Sequence, residues 1–439
     1  MNTNAELQSF RSPNAWLGFI LGGIIYFSWR SVDLYTFNGL ATPIFLTLCA
    51  FLVISCILFP KIKVPNVTIF YYLLFVLWVL FVDLQSNNLS AAIARDMHWF
   101  ILPWFVILSR NATSNTYGRL WITLGAAASL IVIAHTIFAN ASGMVSWVRI
   151  PIFGNIRHFS LSVASLTLFL YGVEWDSKLA RFFFVAVRTL GLAMVLWSGG
   201  RTAYIGILAS LALIYFSLNE STARVRFFLE IFFAILLSLI FDVGDTSLGI
   251  IGALFRGFLI DNPSIDSISS ARLTLWSKTF EALKCRGALL IGMGGNGFLG
   301  LGIGIDRQMF QPHNIFVQII ADWGLIGLML VLVLIYKARQ FITAPIDIPV
   351  AYQKANQAVV IFIVVSSFLD ATLYHLEHLV YLGIALAGSL RFSTHTNVRQ
   401  AKIWPYLLVL IFIAFGTLHW NLFDHRIKWI LRPWTESAC

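Results

Sequence analysis

The sequence predicts an all-α polytopic membrane protein, and three observations carry the prediction. Hydrophobic residues make up 59% of the chain and charged residues only 11%, against roughly 25% charged in ordinary soluble proteins. The mean hydropathy is +0.81. The apolar residues gather into runs of roughly 20, the length an α-helix needs to cross a bilayer core of about 30 Å. Together these exclude a soluble enzyme, a disordered regulator and a nucleic-acid-binding domain. The net charge of +10 does not restore the last of these, because the basic residues sit between apolar runs and form no stripe. The 15 Trp, 13 Tyr and 38 Phe suit a chain that meets the membrane–water interface many times.

The runs place candidate spans near 15–30, 40–59, 67–83, 91–109, 118–138, 159–174, 182–199, 202–218 and 226–242, then near 313–336, 356–373, 376–391 and 404–420. Met1–Asn14 is polar and no small-residue cleavage site follows the first run, so that run is expected to be a retained helix. Lys and Arg favour cytoplasmic connections. With the N-terminus inside, the inner connections hold most of them, from Arg11, Lys61 and Lys63 to Arg391, Arg399 and Lys402. The outer ones hold Arg30, Arg95, Arg149, Arg157 and Arg201. A thirteenth span would leave His425, Arg426, Lys428 and Arg432 outside, so about 12 spans with a cytoplasmic C-terminus are expected. The chain then divides into N-terminal transmembrane helices (1–241), a large and partly helical outer loop (242–312) and C-terminal transmembrane helices (313–439). No internal repeat is visible. The four cysteines form no CxxC pair and no Cys/His cluster at zinc spacing.

Charges near membrane depth cost several kcal/mol unless paired or hydrated, which makes the polar exceptions candidates for function. In Ser198-Gly199-Gly200-Arg201-Thr202-Ala203 the arginine stands at an outer helix end, and the glycines allow a tight turn that presents backbone N–H groups. Taken alone, it equally fits a snorkelling arginine. In Ser269-Ser270-Ala271-Arg272-Leu273-Thr274-Leu275-Trp276 the arginine opens an amphipathic helix expected to show Leu273, Trp276 and Phe280 on one side; the alternative is a solvated loop arginine. Gly292-Met293-Gly294-Gly295-Asn296-Gly297-Phe298 fits a flexible cover over a substrate, being neither a Rossmann fingerprint nor a P-loop. In Gln311-Pro312-His313-Asn314 a histidine at the outer mouth of a helix suits acid–base work near neutral pH, or simply bonds interfacial water. Arg157 and His158 open the sixth span, and Asp370, His375, Glu377 and His378 lie between two late runs, all on the outer side. His375 and His378 lack a third ligand at a convincing spacing, so packing or substrate contact is expected of them and no metal site is. Two guanidinium forks on one face suit a diphosphate.

The ordered set SGGRTA (198–203), SSARLTLW (269–276), GMGGNGF (292–298), PHNIFVQ (312–318) and DWGLIGL (322–328) resembles the O-antigen ligase/polymerase superfamily. The motifs cover roughly 185–335. Gly200 stands where many members have Ser, and Asp322 where Glu is common. The resemblance implies a GT-C-type glycosyltransferase fold with one large periplasmic loop, in the bacterial inner membrane. It implies an undecaprenyl-diphosphate-linked glycan as donor, no cofactor and, for ligases, no metal. Arg201 and Arg272 would bind the diphosphate and His313 would activate the acceptor hydroxyl. Ser198, Gly200, Gly294, Asn314, Arg157, His158, His375 and Glu377 would complete the substrate-binding set. The acceptor implied is lipid A–core, reached by a monomer or weak oligomer among membrane lipids. Polymerase and protein O-oligosaccharyltransferase stay open. His375-Leu376-Glu377 resembles an element of the protein-modifying branch, whose following Tyr-Pro-Leu is replaced by His378-Leu379-Val380-Tyr381. A lipid-linked glycan transporter is the reading of a different class; it would place cations deep in several helices and show repeated halves.

Overall fold

The computed structural model describes residues 13–28, 66–139 except 87 and 88, 153, 156–240 except 174 and 176, 272–301 except 296, 311–339, and 348–389 except 371. The expected spans at 40–59 and 404–420, residues 242–271 and 302–310 of the outer loop, and Asn296 lie outside the described residues. Every regular element described is helical. They are α1 (Pro13–Ser28), α2 (Asn66–Asp83), α3 (Leu89–Ser114), α4 (Thr116–Ala139), α5 (Ile156–Phe169), α6 (Lys178–Ser198), α7 (Arg201–Ser217), α8 (Ser221–Ile240), α9 (Arg272–Cys285), α10 (Gly297–Gly300), α11 (Ile315–Arg339), α12 (Val350–Leu369) and α13 (Leu376–Ser389). Short 3₁₀ turns follow α5 at Leu170–Gly172 and precede α13 at Thr372–Tyr374. Three of these helices, Thr116–Ala139, Lys178–Ser198 and Ile315–Lys337, are long and apolar enough to cross a membrane. Shorter apolar helices occupy Pro13–Ser28, Phe70–Asp83 and Arg201–Ser217.

The described helices fall into two compact units that interleave along the chain, with one boundary inside α3 between Trp104 and Phe105. The first unit holds α1, the end of α3, α4 to α8, α12 and α13. Small residues let its helices approach closely, as is usual where lipid gives no hydrophobic drive. Gly18 and Gly22 of α1 lie against Gly118 and Gly125 of α4. Ser210 of α7 donates to the Ala358 carbonyl of α12 at 2.8 Å, and Ser28 of α1 donates to the Tyr381 hydroxyl of α13 at 3.0 Å. Arg110 donates to the Ala387 carbonyl in the last turn of α13 (3.2 Å), where a cation complements the helix dipole.

The outer surface of this unit is apolar where that of a soluble bundle would be polar. On α8, Phe228, Phe232, Phe233 and Leu239 are exposed while Glu230 is buried. Glu230 accepts from Arg188 of α6 at 3.0 and 2.9 Å and from the Tyr171 hydroxyl at 2.8 Å, and the Arg188 guanidinium lies 4.3 Å over the Tyr171 ring. Such an apolar outer face would drive aggregation in water but suits acyl chains. The chain is a membrane protein.

The second unit holds α2, the start of α3, α9, α10 and α11. Its centre is Trp323, fully buried, edge-on to Phe75 of α2 and to Trp99 of α3. Helix α11 is two helices joined at Gly324, whose φ of 72° and ψ of −177° are open essentially to glycine alone. The break frees backbone groups that the bilayer cannot satisfy, and the fold supplies partners. Leu325 and Ile326 N–H donate to the Leu289 and Leu290 carbonyls at 3.0 and 3.2 Å, and the Trp78 indole donates to the Trp323 carbonyl at 2.9 Å.

Candidate functional site

Arg201 belongs to the first unit, and Arg272 and His313 belong to the second. In the first unit α6 ends at Gly199, left-handed at φ 67°, a conformation glycine adopts without penalty. Gly200 then turns the chain directly into α7, whose first residue is Arg201. The buried Ser198 hydroxyl donates to the Val195 carbonyl at 2.6 Å and accepts from Gly200 N–H at 3.3 Å, and the Tyr204 hydroxyl donates back to the Leu196 carbonyl. Ser198 therefore shapes the turn. A Cβ on Gly200 would come within 2.6 Å of the Ser160 hydroxyl of α5, which explains a glycine where Ser is frequent among the proteins this motif resembles. Arg201 is half-buried at the head of α7, beside the N–H groups that a helix start leaves without intrahelical partners.

The first turn of α5 links this turn to the late cluster. Arg157 and His158 precede Ser160, whose hydroxyl donates to the Arg157 carbonyl at 2.9 Å. The His158 ring sits edge-on to His375 with centroids 4.0 Å apart. Its Nδ1 lies 3.9 Å from Glu377 Oε1, and Glu377 Oε1 lies 3.7 Å from His378 Nε2. The third candidate ligand that chain spacing fails to offer is thus His158, contributed by another helix.

In the second unit Arg272 opens α9. The Trp276 indole, one turn on, donates to the Pro312 carbonyl at 2.7 Å. The buried side of α9 is Leu275, Thr279 and Leu283; of the expected stripe, Phe280 packs against the same cluster with Phe298 and Ala321, Trp276 is half-buried, and Leu273 is exposed, because close packing selects a face rotated around the helix. His313, half-buried, is the only non-glycine residue with positive φ (53°) among those described. A non-glycine residue held there is uncommon. Directly after it, Asn314 Oδ1 accepts from the N–H groups of Phe316 (2.9 Å) and Val317 (3.1 Å), capping α11. The cap fixes where His313 leaves the helix.

The glycine-rich segment is packed and not a loose cover over its described part. Gly292, Gly294 and Gly295 are buried, and a Cβ on Gly294 would stand 2.9 Å from Ser86 Cβ. Three carboxylates hold the segment and its surroundings. Asp83 accepts from Gly295 N–H at 2.8 Å, Asp322 from Gly297 N–H at 2.9 Å and from the Gln318 amide, and Asp96 from the Trp323 indole at 2.7 Å. Asp83 and Asp96 escaped the sequence reading. The available signal was a carboxylate within, or at the end of, an apolar helix.

Residues 186–332 match a family model described as O-antigen ligase. Over that stretch the chain is similar to the O-antigen ligase family. The match spans about one third of the chain and agrees closely with the reach of the motifs. The O-antigen ligase region includes Ser198, Gly200, Arg201, Arg272, Gly294, His313 and Asn314. Arg157, His158, His375 and Glu377 lie outside it. The matched stretch is thus similar to enzymes of ligase and polymerase type. No curated protein matches the chain.

Proposed function

We propose that this enzyme joins an O-antigen glycan, carried on undecaprenyl diphosphate, to a hydroxyl of lipid A–core at the periplasmic face of the bacterial inner membrane. The observation that carries the reading is the Pro312-His313-Asn314 turn inside the O-antigen ligase match. It sets an imidazole at positive φ on the mouth of a capped helix and is tied to the Arg272-bearing helix through Trp276.

The reaction is a single inverting displacement. His313 takes the proton of the acceptor hydroxyl as its oxygen attacks the anomeric carbon. The bond from that carbon to the diphosphate oxygen breaks, and undecaprenyl diphosphate leaves with the electron pair. Arg201 and Arg272 hold the diphosphate and offset its developing charge. No metal or cofactor takes part in the displacement. Gly200 and Ser198 shape the Arg201 turn and Asn314 sets the His313 turn. Gly294 holds the packed segment.

The test is deletion of the gene in its host and complementation with wild type or His313→Ala, read on a lipopolysaccharide gel with analysis of lipid-linked glycan. The deletion is expected to lose the ladder and accumulate long undecaprenyl-linked polymer, with no rescue by the variant. A core carrying one repeat unit would mean a polymerase. An unchanged ladder would exclude both and direct attention to glycosylated pilin-like protein. Transfer by purified enzyme in detergent, where no gradient exists, separates an enzyme from a transporter.

A further inference from the structure

The first turns of α5 and α13 bring together three side chains of metal-ligand type. One ligand atom from each of His158, Glu377 and His378 lies within 4.8 Å of the other two. Glu377 is 1% exposed and His378 is fully buried. Neither ring nitrogen of His378 has a hydrogen-bond partner, and neither does Glu377 Oε1. Polar groups so deeply buried are normally satisfied, and the exceptions require an explanation. A proton shared directly between Glu377 and His378 does not supply one, because 3.7 Å is too long for a hydrogen bond.

A metal ion does supply one. Ligand bonds of about 2.0–2.2 Å in tetrahedral geometry separate the ligand atoms by roughly 3.3–3.6 Å. The gaps of 3.7 and 3.9 Å to Glu377 therefore need to close by a few tenths of an ångström, and the gap between the two imidazoles, at most 4.8 Å, by up to about 1.5 Å, within reach of side-chain rotation. Two imidazoles and one carboxylate suit zinc and neighbouring first-row ions; Mg²⁺ and Ca²⁺ favour all-oxygen shells. His375 stacks edge-on against His158 and orients its ring without joining the set.

We propose that His158, Glu377 and His378 bind one zinc-class divalent transition-metal ion, which pins the first turn of α5 to the first turn of α13. The ion does not touch the reacting atoms of the transfer, and the site does not depend on that reaction being correct. It acts at a distance: Ser160, two residues beyond His158, is the surface against which the Gly200–Arg201 turn is built.

The full-length protein, purified in detergent with any affinity tag removed, is dialysed against chelator, reloaded with Zn²⁺ or Co²⁺ and passed over a desalting column. Metal content is read by plasma mass spectrometry and Co²⁺ geometry by visible absorption. Wild type is expected to hold about one ion per chain with the absorption of a tetrahedral nitrogen/oxygen site. His158→Gln, Glu377→Gln and His378→Gln, each checked for monodispersity, are expected to lose at least tenfold in retained metal. Zn²⁺ should raise the thermal midpoint of wild type and of none of the variants. Wild type without stoichiometric metal or the tetrahedral cobalt spectrum overturns the site, whatever the variants do. Undiminished metal in monodisperse variants overturns the ligand assignment.

Discussion

A φ of 53° at His313 holds a bulky side chain where few residues are comfortable, and such strain costs of order 1–3 kcal/mol unless the surroundings impose it. Here the Asn314 cap on one side and the Trp276-to-Pro312 bond on the other impose it. Arg201 poses a different question, since its charge alone would survive replacement by lysine. If it grips a diphosphate through a planar fork, charge is not sufficient. Arg201→Lys is expected to lower glycan transfer by about 10²–10⁴ while leaving protein yield unchanged. Purified enzyme assayed with lipid-linked glycan and lipid A–core decides this; near wild-type transfer would remove Arg201 from the diphosphate site.

Between elements, the telling contacts are those that satisfy polar groups inside apolar helices. Arg188 and Glu230 join α6 to α8 as a buried, bidentate pair with Tyr171 as third member. Removing one partner strands the other charge, so Glu230→Ala is expected to cost about 3–5 kcal/mol. Glu230→Leu with Arg188→Leu should cost much less, because no charge is left behind. Thermal unfolding in detergent gives the comparison, and equal losses in the single and double variants would refute it. The break in α11 makes a second demand. A Cβ at residue 324 would enter the Leu290 carbonyl and require a backbone conformation foreign to L-residues. Gly324→Ala should destabilise by at least about 2 kcal/mol. An unchanged midpoint would mean that α11 can straighten.

At the scale of the molecule, the distribution of Lys and Arg predicts the orientation: α9 and the His313 turn are expected outside and the starts of α6 and α8 inside. Single cysteines at Ser277, Lys178 and Thr222, all exposed, in a background without the four native cysteines, test it. A membrane-impermeant maleimide applied to cells with a permeabilised outer membrane is expected to label position 277 and to leave 178 and 222 unlabelled until the inner membrane is broken. Labelling in the reverse order would invert the topology and rule out a periplasmic active face.

Sequence by itself determined the class and the local similarity to O-antigen ligases. Apolar runs of membrane length and the motifs within 186–332 are local patterns, and local patterns survive in one dimension. It also located Arg201, Arg272 and His313 at helix starts, because glycine, proline and asparagine punctuate helices by their own backbone chemistry. Only the tertiary structure decided which polar groups meet. His158 lies in α5 and Glu377 in α13, far apart in the chain, so no spacing rule finds their contact. Asp83 and Asp96 likewise reach the glycine-rich segment and Trp323 across long chain separations. The buried side of α9 shifted for the same reason: hydrophobic periodicity reports that a helix has an apolar face, and close packing against α10 and α11 chooses which residues fill it.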